Sequence, residues 1–337
     1  MSAYLPRYGG YAAGVLALVL LPRLVYPVLA LDILLWGLFA VALDLLLGFA
    51  GLLSFGHAMF WGVAGYAAAI SARAWQLPFP LAVLIGMLAS VSLALPIGFL
   101  SVRRTGIYFA MVTLAFAQMV FFLINEWRDV TGGENGLQGV PRLLPGLDLH
   151  DPTIFYYAAL PLILLGYWMA HRVVHSPFGR VLTAVRDNEV RAQALGYPTR
   201  RFKLMVFVIS AALAGLAGSL QALAHGFATL EFVHWTTSGE VVIMTILGGI
   251  GTLWGSLAGA AIFLLLRDWL STSAQSVTVP VVGDWLKALS EGPLVITGAI
   301  FIVIVLNFRH GVWGTLTRVL ADPGSVPQQL RRRLKPK

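Results

Sequence analysis

Asp32 and Asp44 lie inside one apolar run, and they are two of only 15 acidic residues in the chain. A carboxylate held in hydrocarbon costs on the order of 2.5–3.5 kcal/mol on insertion scales, so each must face protein or water. The twelve helical residues between them turn through about 1200°, which leaves them roughly 120° apart and unable to act as a pair. Each is read as a member of a proton relay, as a structural hydrogen-bonding group, or as an aspartate protonated near a helix end. His57, within GLLSFGHAMF, is a third ionisable group in apolar surroundings. An intramembrane histidine is a functional candidate by default, with packing or hydrogen bonding as the plainer alternative. His171 and His175 stand at i, i+4, a spacing that can share a metal, but no acidic residue or third histidine is nearby and HExxH is absent. They are expected at a membrane interface.

The glycine-rich stretch TGGENGLQGV (131–140) suggests a phosphate cradle, but it lacks the GxxxxGK[ST] order and none of the four lysines fits a Walker A site. ATP hydrolysis by that route is excluded. The loop is read as a set of turns, or as a surface that touches a solute or partner. No His-Ser-Asp set or metal constellation falls on plausible neighbouring faces, so an enzyme is not expected.

Composition fixes the elements that must carry these groups. Of 337 residues, 58% are hydrophobic and 11% charged, and there is no cysteine. Soluble domains carry roughly 25% charged residues, and a water-soluble globule of this size cannot hide so much apolar surface. The class is a polytopic, all-α membrane protein of about eight to ten transmembrane segments. Apolar runs predict spans near 11–21, 27–49, 54–72, 79–100, 106–124, 154–171, 204–226 and 293–308. The run 240–266 is interrupted by Gly248, Gly249 and Gly251, which predicts two half-helices or a re-entrant hairpin reversing there. With a cytoplasmic N-terminus, seventeen of the 23 Lys and Arg fall on the inner side and six on the outer. This bias orients the chain with both termini inside. The net charge of +8 therefore reflects membrane orientation, not nucleic-acid binding. Residues 1–308 form one transmembrane domain, and 309–337 a basic cytoplasmic tail.

The inner segment 176–196 reads as a single amphipathic helix, with Ser176 as N-cap, Pro177 in the first turn and Gly196 as the stop. It mixes Arg186 and Arg191 with Asp187, Asn188 and Glu189, which suits a protein groove better than lipid headgroups. Small residues one turn apart (Ala58 and Gly62; Ala211 and Gly215; Gly251, Gly255 and Gly259) predict close helix packing.

Six stretches taken together resemble one family: GFAGLLSFGHAMFWGVAGYAAA (48–69), TGIYFAMVTLAFAQM (105–119), TGGENGLQGVPR (131–142), SPFGRVLTAVRDNEVRAQALG (176–196), KLMVFVISAALAGLAGSL (203–220) and LGGIGTLWGSLAGA (247–260). The family is that of the LivM-type permease subunits of high-affinity branched-chain amino-acid ABC importers. The resemblance implies a subunit of the bacterial inner membrane that pairs with a second homologous permease. It further implies two ATP-binding subunits that hold ATP and Mg, and an extracytoplasmic substrate-binding protein; no cofactor is expected on this chain. It also implies that Ala184, Arg186, Asp187, Asn188, Glu189, Ala192 and Gly196 form the coupling segment that docks on an ATPase. Asp44 stands where the family usually has asparagine. Candidates for the solute pathway are Ser54, His57, Thr113, Gln118 and the half-helix ends at Gly248, Gly249, Gly251 and Thr252, where free backbone groups can hydrogen-bond a solute. Urea, short amides and aromatic acids are alternative solutes, and an autonomous channel or ion-coupled carrier is the alternative mechanism.

Overall fold

The computed structural model describes residues 18–276, with side chains through 269. The runs expected at 11–21 (in greater part) and 293–308, and the basic tail, lie outside the described residues. A short helical stretch at 18–24 precedes α1 (Pro27–Asp44), which begins with proline in its first turn and ends in a π-helical turn, Leu45–Phe49. Then follow α2 (Ala58–Ala74), α3 (Phe79–Ser101), α4 (Ile107–Glu126) and α5 (Pro152–Val174). Two short helices, α6 (Pro177–Asp187) and α7 (Glu189–Ala194), lead into α8 (Thr199–His225). The described chain closes with α9 (Trp235–Gly248) and α10 (Leu253–Ser276).

The fold is all-α and polytopic. Among the described residues five helices are long and apolar enough to cross a membrane, or six if the bent pair α9–α10 is one span. That pair bends by 116° across residues 249–252, so the break falls at the predicted glycines. The shorter α2 is a further apolar helix sunk into the bundle. Burial separates centre from periphery: 83% of the apolar window of α1 and 72% of that of α8 are inside, against 33–39% for α3, α4 and α5. The outer helices present Leu84, Leu88, Phe99, Met111, Phe122 and Trp168 outward. Such faces are at rest only against hydrocarbon or another apolar surface.

Small residues set the closest approaches. A Cβ on Gly218 would strike the Trp61 carbonyl, and one on Gly215 would sit 2.6 Å from Ser90 Cβ. Gly255 and Gly259 of α10 likewise press on the backbone of Gly248 and the Met244 carbonyl of α9. The small-residue spacing therefore serves packing, as in other membrane bundles. A two-stranded antiparallel ladder joins β1 (Leu137–Gln138), inside the glycine-rich loop, to β2 (Phe227–Ala228), just past α8.

One expectation needs correction. The segment 176–196 is not one helix: it breaks at Asn188, whose backbone is extended (φ −159°, ψ 97°). The Asn188 side chain accepts the Arg191 amide at 2.9 Å, capping α7. The predicted ends hold. Ser176 caps α6 by accepting the Gly179 amide at 3.3 Å. Past α7, Gly196 has φ +88°, with its amide on Gln193 and the Tyr197 amide on Ala192. Those two bonds form a complete Schellman motif.

Candidate functional site

Arg186 is the point at which the α6–α7 segment meets the bundle. Its Nη1 donates to the Gly48 carbonyl in the π-helical end of α1, at 2.5 Å. Its aliphatic stem covers Gly51, where a Cβ would lie 2.9 Å from Arg186 Cγ. Nε and Nη2 both donate to neighbouring Asp187, at 3.1 and 3.0 Å, an exposed pair that contributes little stability. The Gly48 bond is different, because it joins residues 138 apart in sequence.

Gly48 in turn faces the break in α9–α10. A Cβ there would collide with Asp44 Oδ1 and the Gly251 amide, so only glycine fits. Asp44, fully buried, accepts the Gly251 amide on Oδ1 at 2.8 Å. Asp44 thereby holds an amide freed where helix gives way to turn. Thr252 closes the turn by donating to the Gly249 carbonyl at 2.6 Å. Arg186, Gly48, Asp44 and Gly251 thus form one connected group between a surface helix and a broken span.

Glu189 turns inward. Its carboxylate accepts from Lys203 Nζ at 2.6 Å and from Thr199 Oγ1 at 3.1 Å, and Gln193 Nε2 donates to the same hydroxyl. Lys203 is 4% exposed, so this ion pair pins α7 to the start of α8. Ala192 is buried, whereas Ala184, Asp187 and Asn188 are exposed. The side chains left facing outward include Val190 at 76% and Leu195 at 72% exposure, flanked by Arg191 and Asp187.

The candidate pathway residues do not share one surface. His57 is fully buried; its Nε2 lies 2.9 Å from Ser210 Oγ, and its ring stacks on Phe39. Because the Ser210 hydroxyl donates to the Ala42 carbonyl, the His57 Nε2 must carry the proton between His57 and Ser210. Ser54 is buried without a hydrogen-bond partner among the described residues. Thr113 is buried and donates to the Ala110 carbonyl, while Gln118 is half-buried and five residues away, on another face of α4. Gly248, Gly249, Gly251 and Thr252 gather at the break.

Sequence reading missed a second polar group at the opposite end of α8. Asp32 Oδ1 accepts from His225 Nε2 at 2.9 Å and Gln221 Nε2 at 3.2 Å. Asp32 and Asp44 are indeed separate, each engaged at its own end of α1. The glycine-rich loop passes beside this group: Val140 donates to the Gly226 carbonyl at 2.9 Å, and Arg142 follows, with Nη1 3.3 Å from the Leu149 carbonyl. No local signal announces His225, because its partner is 193 residues distant. Elsewhere, the His171 and His175 rings stack 4.0 Å apart at the end of α5.

A family model described as "Branched-chain amino acid transport system / permease component" matches residues 28–305. Escherichia coli (strain K12) has a protein named high-affinity branched-chain amino acid transport system permease protein LivM, 30% identical over 252 residues, which are 68% of this chain and 59% of that one. A Salmonella typhimurium protein of the same name is equally similar over the same shares. An E. coli O157:H7 protein named autoinducer 2 import system permease protein LsrC is 28% identical over 268 residues, 73% of this chain and 75% of its own length. The chain therefore spans about three-fifths of the length of the LivM relatives that it matches. No solved structure matches it.

Proposed function

The chain belongs to the branched-chain amino acid transport system permease family, and from that premise we propose that it is the membrane-spanning subunit of an ATP-driven amino-acid importer. Branched-chain amino acids are the first candidates for its substrate. It works as a transport subunit, with hydrolysis of ATP in two separate partner subunits. A second homologous permease completes the pathway, and an extracytoplasmic binding protein delivers the solute. The chain sits in the bacterial inner membrane with both termini, and the α6–α7 segment, on the cytoplasmic side, in keeping with its excess of basic residues.

The observation that carries this reading is the Arg186 bridge to Gly48, beside Gly251. A partner that grips α6–α7 pulls on the end of α1 and on the α9–α10 break without touching either. Val190 and Leu195 are the apolar anchors of that grip, and Asp187 and Arg191 its polar rim, the arrangement usual for protein interfaces. Alternating access follows if nucleotide-driven movement of α6–α7 re-seats the break and releases backbone groups now bonded to Asp44 and Thr252 to meet a solute.

The test is reconstitution of the co-purified complex in proteoliposomes. Uptake of labelled leucine is expected to require ATP and the binding protein. A panel of urea, short amides, aromatic acids and other amino acids tests the substrate by competition. Val190→Asp, on an exposed position, is expected to detach the ATPases and abolish uptake while leaving thermal unfolding unchanged. Solute flux without nucleotide, from the chain alone, would instead establish the channel or carrier.

A further inference from the structure

At the His225 end of α8 lies a cavity of about 250 Å³, lined by Arg142, His150 and His225 over an apolar floor that includes Leu31 and Phe155. We propose that this cavity binds a small aliphatic carboxylate, with the Arg142 guanidinium as its principal anchor and His225 and His150 beside it. The inference deepens the importer reading, and rests on it, by naming the chemical handle by which a solute is held at this end of the bundle.

Three observations carry it. First, Arg142 is half-buried and no acidic side chain among the described residues pairs with it; its one hydrogen bond among those residues is the long contact to the Leu149 carbonyl. Burial lowers its pKa below the ordinary arginine value, which marks a guanidinium stripped of part of its water with no counter-charge in return. Arginine cannot escape that situation by losing its proton, so an anion is the natural complement.

Second, the acids nearby are already engaged. Asp32 is held by His225 and Gln221, Asp148 accepts the His150 amide, and Asp151 caps α5 by accepting the Thr153 and Ile154 amides. His225 is also the last residue of α8. The uncommitted charge in the cavity lining is therefore the Arg142 guanidinium.

Third, the cavity is pre-formed. The β1–β2 ladder and the Val140–Gly226 bond lash the loop to α8, and the Phe155 ring lies 5.6 Å from the Arg142 guanidinium carbon. The arginine fork matches carboxylate and phosphate alike. The apolar floor and the volume, below the roughly 300–1,000 Å³ of drug-sized sites, favour a small carboxylate with a hydrocarbon tail.

Equilibrium dialysis of labelled isovalerate against the purified full-length chain tests the site. Saturable binding is expected, displaced by leucine but not by leucinamide or inorganic phosphate. Arg142→Gln should weaken it roughly 10-fold to 100-fold, and Arg142→Lys should recover part of the loss. If Arg142→Gln fails to fold, His150→Gln, on an exposed loop, carries the test and should weaken binding severalfold. Absence of saturable binding, equal displacement by leucinamide or phosphate, or unaltered binding in the folded variants would overturn the proposal. The importer reading stands apart: ATP-driven leucine uptake without Arg142-dependent binding removes only this site, and binding without uptake removes only the importer.

Discussion

The two ends of α8 use arginine and lysine in opposite ways. At the Thr199 end two cations are closed on the protein itself, Lys203 on Glu189 and Arg186 on Gly48 and Asp187, while Arg200 and Arg201 face outward. At the His225 end only the histidine–aspartate pair is closed, and Arg142 rests against a carbonyl and a ring. A closed network transmits force, because moving one member displaces the rest. An open cation recognises, because its interaction energy is released only when a ligand arrives.

Thermal unfolding of purified variants can break or sharpen this contrast. Gly48→Ala should have the largest effect, about 3 kcal/mol, because the new methyl group collides with Asp44 and the Gly251 backbone; wild-type stability there would mean that α1 and the break are not in register as described. Lys203→Met should follow at about 2 kcal/mol, since it strands the Glu189 carboxylate. Gly196→Ala should cost about 1 kcal/mol from backbone conformation alone, as nothing lies within 4 Å of its Cβ position. Arg142→Gln should be mildest, at about 0.5–1 kcal/mol, the value of a cation–π contact that is not fully desolvated. Equal losses at Lys203 and Arg142 would erase the distinction between the two ends.

Local signals carried well from sequence to structure, and distant ones did not. Ser176, Pro177 and Gly196 mark helix ends through bonds to residues a few positions away, so their roles were legible. The glycines at 248–251 likewise announced the break. Asn188 carried a cap signal of its own, followed directly by acidic Glu189, but the apolar spacing across it imitated an unbroken helix. The partners of Asp44, Asp32 and Arg186 lie 207, 193 and 138 residues away. Which carboxylate meets which donor is then decided by helix packing, and no local pattern encodes it. Glu189 shows the consequence: its exposure was inferred from the charge run, whereas Lys203 draws it inward.

The helices differ in length, and a bilayer turns that into geometry. With a rise of about 1.5 Å per residue, the 20-residue α4 spans about 30 Å, the thickness of a typical hydrocarbon core. The 23-residue α3 and α5 reach about 35 Å and fit the same slab only if inclined by about 30° or if their ends emerge into the headgroups. On length alone α4 can stand upright while its neighbours lean. A thinner membrane would press hardest on α3 and α5, and the lipid would thereby act on the same bundle that α6 and α7 grip from one end.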